Sequence, residues 1–150
     1  MISRRRVFLV SWLITLGWTA LLTYLLLRPG TAGAATEGAF VTAFFRSEFS
    51  RTDLMEAMAH VGMFGSLTLL WGWTLAFHYP ARYAVLLTAA IAASLGVVTE
   101  FGQFFVARGA LMLDLVANFT GIVLSIIMLH LFSGKIPHRY ETTGGHDNGC

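Results

Sequence analysis

Three pairs of polar side chains interrupt the long apolar stretches of this chain of 150 residues. They are Glu56 with His60, Glu100 with Gln103, and Asp114 with Asn118. Spacings of three or four residues place both members of a pair on one helix face. An imidazole beside carboxylates can move a proton, read a polar head group or contribute to a cation site. An ionisable group at membrane depth costs about 2.5–3.5 kcal/mol on insertion scales, so it persists where it faces a cavity or another polar group. Arg108 lies between the second and third pairs and can pair with Glu100 or Asp114. The residues therefore point to a polar pocket inside a membrane protein.

Each residue also has a plainer reading. His60 reads first as a histidine hydrogen-bonded within a bundle, orienting Glu100 or Asp114, ahead of a ligand-contacting or proton-transfer role. Glu100 and Asp114 could form a structural ion-pair network with Arg108, or an acid and a base held apart by their environments. Asn118 can bridge helices, and Gly121 lets a neighbouring helix approach. Gly62 and Gly65, with Ser66, read as a small-residue packing face. No metal site is predicted: His60, Glu100 and Asp114 are the only candidates, and there is neither an H-x-x-x-H motif nor a Cys/His cluster. The sequence names no particular cofactor and excludes none. No nucleophile motif is present, and neither Ser66 nor Thr120 has an activating context. Trp12, Trp18, Trp71 and Trp73 suit interface anchoring or bundle packing, and His130 and His138 an interfacial position.

The elements that must position these residues follow from hydropathy. The chain is 56% hydrophobic and 12% charged, with mean hydropathy +0.68. Soluble domains are usually about a quarter charged, so this is a membrane composition. A net charge of +2 is too small to argue for nucleic acid. Spans are predicted over 7–27, 58–77, 83–106 and 111–132, each near the ~20 residues that cross a bilayer. The first could instead be a cleaved signal peptide, since Ala32 and Ala34 form a small-residue site. Its apolar run exceeds the usual h-region, about 7–15 residues, which favours a retained helix.

Pro29 and Gly30 stop the first span. Between it and the second, residues 39–55 mix phenylalanines at helical spacing with Arg46, Glu48, Arg51 and Asp53. They read as an amphipathic segment lying in the interface or over a pocket, or as a loop packed on the bundle. The expected fold is all-α, a four-helix transmembrane bundle over 1–135, with a disordered polar tail at 136–150. Cys150, the single cysteine, has no partner in the chain and lies outside any prenylation box.

Lysines and arginines set the orientation. Arg4, Arg5, Arg6, Arg82, Lys135 and Arg139 fall on one side; Arg28, Arg46, Arg51 and Arg108 fall on the other. The excess, with the triple arginine before the first span, places both termini in the cytoplasm of a cell whose plasma (inner) membrane holds the chain. All three polar pairs then lie toward the outer side.

The second half of the chain resembles the VanZ-like membrane proteins. The resemblance covers about residues 53–125 and rests on Glu56, His60, Glu100, Gln103, Arg108, Asp114, Asn118 and Gly121 at their spacings between hydrophobic spans. The family often has Asp-Lys before the histidine helix. Here those positions read Glu56-Ala57, which leaves no lysine for a role there. The resemblance implies a four-span envelope protein of a family linked to teicoplanin resistance, without a settled activity.

Three functions are compatible with this reading. One is binding of a membrane lipid, glycolipid or glycopeptide-type amphiphile in the outer polar pocket. Another is an accessory subunit of a larger membrane complex. The third is an enzyme acting on a lipid or another envelope component.

Overall fold

The computed structural model describes residues 4–28, 50–106 and 112–133. They form four helices: α1 (Arg4–Leu27), α2 (Arg51–Leu75), α3 (Ala81–Phe105) and α4 (Met112–Ser133). Each contains a run long and apolar enough to cross a membrane, between 21 residues in α4 and 25 in α2. The chain is an all-α, multi-pass integral membrane protein.

Local chemistry sets the helix ends. α1 stops at Leu27, just before Arg28 and Pro29; a proline disfavours helical backbone in the residue before it. α2 opens on a capping box. The Ser50 backbone N–H donates to Asp53 Oδ2 at 2.6 Å, and the Asp53 N–H donates back to Ser50 Oγ at 3.2 Å. This cap starts α2 well before residue 58, where its apolar run was expected to begin. Residues 51–55, read from sequence as part of an amphipathic segment, are therefore the first turn of α2. The rest of that segment, 39–49, lies outside the described residues, as do Arg108, His138 and the tail. At the other end of α2, Ala76 donates to Gly72 O and Thr74 O. Pro80 then caps α3 with extended backbone.

The helices run up, down, up and down. Thr15 meets Thr74 and Trp12 meets His78, so α1 and α2 are antiparallel. Contacts of His60 with Asn118 and of Gly65 with Ser125 keep α2 and α4 parallel. α2 touches all three other helices and packs most extensively on α4.

That α2–α4 contact depends on missing side chains. A Cβ on Gly121 would fall on the Val61 carbonyl oxygen and lie 3.0 Å from the Gly65 nitrogen. Ser125 Oγ donates to Gly65 O at 2.9 Å across the same crossing. Lipid tails are as apolar as leucine, so helices associate in a bilayer through such close packing and interhelical hydrogen bonds. Gly62 differs: it is exposed and a Cβ there would meet nothing within 4 Å. The packing face within the chain is therefore Gly65, Gly121 and Ser125. Among the described residues, none meets Gly62 in this way.

The buried apolar core is Leu22, Leu26, Phe64, Leu67, Ala92 and Ile122. Trp18 and Trp71 pack against it. Outside, large apolar side chains face outward along every helix, among them Leu13, Met58, Phe105 and Leu131. Apolar surface of that extent suits lipid rather than water.

Candidate functional site

Three helices deliver polar side chains to one buried position. His60 comes from α2, Glu100 and Gln103 from α3, and Asp114 and Asn118 from α4; none is more than 5% exposed. Counted along the helices, His60 lies about 13 Å from the start of α2, Asn118 about 9 Å from the start of α4, and Glu100 about 8 Å from the end of α3. These three lie one to three turns inside their helices, whereas Gln103 and Asp114 lie about 3 Å from the end of α3 and the start of α4.

Asn118 occupies the centre. Its Nδ2 donates to Glu100 Oε1 at 3.0 Å, and its Oδ1 lies 2.9 Å from His60 Nδ1. The carboxylate oxygen accepts, so the amide nitrogen must face it, and the amide oxygen faces the imidazole. That orientation assigns the proton to His60 Nδ1, which donates to Asn118. His60 Nδ1 is also 3.7 Å from Glu100 Oε1, close enough for an ion pair if the ring is protonated. The arrangement is an imidazole–amide–carboxylate row.

Packing below fixes the row. A Cβ on Gly96 would touch Phe64 Cε1 at 3.5 Å and Asn118 Cβ at 3.6 Å. Gly96 therefore brings α3 close to Asn118, with fully buried Phe64 beside it. Thr99 is buried and returns its hydroxyl to Leu95 O at 2.8 Å, within its own helix. Gly96, Phe64 and Thr99 were not singled out in the sequence. The signal for Gly96 was its place four residues before Glu100, on the same face of α3.

Not every candidate joins the row. Glu56 lies one turn before His60 on α2 but is exposed, because burial on this helix begins at Ala57. Asp114 is buried in the first turn of α4, where the positive end of the helix dipole favours a carboxylate. It is one turn from Asn118. Gln103 is buried one turn beyond Glu100. Arg108 lies outside the described residues. Among the described residues no three His, Cys, Asp or Glu side chains are grouped to hold a metal ion. Ser66 Oγ donates to Met63 O and Thr120 Oγ1 to Val116 O, so both hydroxyls turn back on their own helices.

A second polar set lies toward the opposite membrane face. Thr15 and Thr74 hydroxyls are 2.8 Å apart, Trp71 Nε1 donates to Thr19 Oγ1 at 3.2 Å, and Trp12 Nε1 donates to His78 Nε2 at 3.1 Å. Trp12 and Trp71 meet edge to face at 5.8 Å. These tryptophans pack the bundle, whereas Trp73 is exposed. His130 is exposed near the end of α4.

Chemically, the first set can hold a proton on His60 or on Glu100, with the Asn118 amide bonded to both. Comparison with protein-family models, with curated proteins and with solved structures finds no match.

Proposed function

We propose that this integral membrane protein binds the polar head of an amphiphile, of glycolipid or glycopeptide type, at the site built on His60, Asn118 and Glu100. One observation carries the reading. Polar side chains from three separate helices converge in one hydrogen-bonded row at membrane depth, and ionisable groups in such places are by default tied to function. Gln103 and Asp114 flank the row, and Glu56 lies exposed toward its approach. The resemblance to VanZ-like proteins, with their link to teicoplanin resistance, supports the ligand class. The excess of arginine and lysine on the other side supports cytoplasmic termini in a plasma membrane, so the site would open toward the envelope.

The test is native mass spectrometry of the full chain in lipid nanodiscs, with teicoplanin and a lipid panel as probes. A head-group-selective adduct should appear on the native chain and be lost in both His60→Ala and Glu100→Gln, each shown to be folded by circular dichroism. Adducts that persist unchanged in both variants would sink the reading.

A second reading, an accessory subunit of a larger membrane complex, is favoured by the open face at Gly62. Ala59 is exposed one turn before it, and no described residue covers the position. Such a face suits close approach by another helix. Co-purification of a stoichiometric membrane partner that Gly62→Leu releases would establish it.

A further inference from the structure

A second candidate site lies at the other end of the molecule, between the start of α1 and the end of α2. There a cleft of about 450 Å³ runs from Arg6 at its mouth to Thr15 and Thr74 at its floor. Its walls are Val10, Ile14, Leu70 and Trp73. The volume is within the range of about 300–1,000 Å³ typical of small-molecule sites. The floor hydroxyls are bonded to each other, so the cleft asks for no polar group at its base. From Arg6 to Thr15 is nine residues of helix, about 13 Å. One leaflet of bilayer hydrocarbon is about 15 Å deep. The cleft thus has the depth and the lining for a single acyl chain standing in its own leaflet.

Charge selects the head group. Between Glu56 and Glu100 the sequence contains no aspartate or glutamate, and none precedes Glu37. The described residues at this end therefore carry cations without acids. Arg6 is exposed at the cleft mouth, and Arg4 and Arg5 precede it in the sequence. Arg82 stands at the start of α3, also exposed, with its guanidinium 4.7 Å from the Tyr83 ring centre. The opposite end carries Asp53, Glu56, Glu100 and Asp114. Trp73, half in the cleft and half exposed, is the amphipathic side chain expected where lipid meets protein.

We infer that this cleft is a binding site for one anionic glycerophospholipid of the surrounding leaflet. One acyl chain lies along Val10, Ile14 and Leu70, and the phosphate meets Arg6. The inference rests on nothing in the His60 site.

The experiment uses the full chain in nanodiscs of equal phosphatidylglycerol and phosphatidylcholine, released for native mass spectrometry. The native chain should retain one phosphatidylglycerol in preference to phosphatidylcholine by about five-fold, the effect of one cation near an anionic surface, and less at high salt. Arg6→Gln should bring that ratio close to one. Ile14→Trp, which fills the cleft and leaves every arginine in place, should remove the retained lipid of either kind. His60→Ala should leave the ratio unchanged, which separates this site from the one proposed above. Equal retention of both lipids by the native chain overturns the inference, as does an unchanged ratio in Arg6→Gln. A second copy of the chain bound in place of lipid also overturns it.

Discussion

At the acid-bearing end of the bundle, His60, Asn118 and Glu100 meet across three helices and are almost completely buried. At the acid-free end, Thr15 and Thr74 meet across two helices at the floor of an open cleft. The first set contains groups that can carry charge, and it is closed by the near contact of α2 with α4 at Gly121. The second contains neutral hydroxyls and indoles, and it lies beside an open cleft. A charged group must be enclosed by partners or it is too costly in hydrocarbon; a hydroxyl can return its proton to its own backbone. Thr19, Thr23 and Thr68 do the latter, each donating to the carbonyl four residues back. Enclosure and openness thus follow from which polar groups each end carries.

The strongest way to break this contrast is to open the closed end. Gly121→Val would push side-chain atoms against the Val61 carbonyl, and α4 would have to move away from α2. We expect a loss of about 3 kcal/mol, the upper range for overpacking, read as reduced unfolding stability in detergent. The separation should also abolish the His60–Asn118 hydrogen bond, visible as a shifted imidazole nitrogen resonance. A variant as stable as the native chain would show that the two backbones need not be in contact.

Asn118→Leu removes the central amide with little change in volume. The row loses both hydrogen bonds, at an expected cost of about 2 kcal/mol by the same unfolding assay. An effect below about 0.5 kcal/mol would mean that His60 and Glu100 do not depend on the amide.

A double-mutant cycle of Thr15→Val and Thr74→Val measures the open end on the same scale. Its coupling should be near 0.6 kcal/mol, the average for interhelical hydrogen bonds in a bilayer. A cycle between positions 60 and 118 should give more. Equal couplings would erase the distinction between the ends.

The smallest effect belongs to Gly62→Ala. Its Cβ meets nothing within 4 Å, so stability in detergent should stay level or rise by up to about 1 kcal/mol through helix propensity. A marked loss would place an unseen neighbour on that face.

Much of the fold was legible in the sequence because hydropathy reports spans directly. α1 ends at Leu27 as expected, and α3 and α4 lie within two residues of the expected limits. The start of α2 was missed because apolar run length was the guide, while the helix is started by Ser50 and Asp53, two polar residues. Spacing could bring His60, Glu100 and Asn118 to the right faces of their helices. It could not rank neighbours: His60 was expected to orient Glu100 or Asp114, and the structure puts Asn118 between His60 and Glu100. Helix rotation decides that, and rotation is set by contacts such as Gly96 on Asn118 and Gly121 on Val61, which no single helix encodes. Glu56 shows the same limit. It shares the His60 face, yet the point along α2 at which neighbours begin to cover that face is a property of the assembled bundle.

The pairing of α2 with α4 has a consequence for how the protein is made. His60 and Asn118 are 58 residues apart in the chain. At a synthesis rate of about 5–20 residues per second, His60 is added to the chain roughly 3–12 s before its amide partner. During that interval α2 and α3 are already apolar enough to enter the membrane, but the tightest helix contact of the finished molecule cannot form. The nascent bundle must keep a place beside α2 clear for a helix not yet synthesised, so the last span completes the protein rather than extending it.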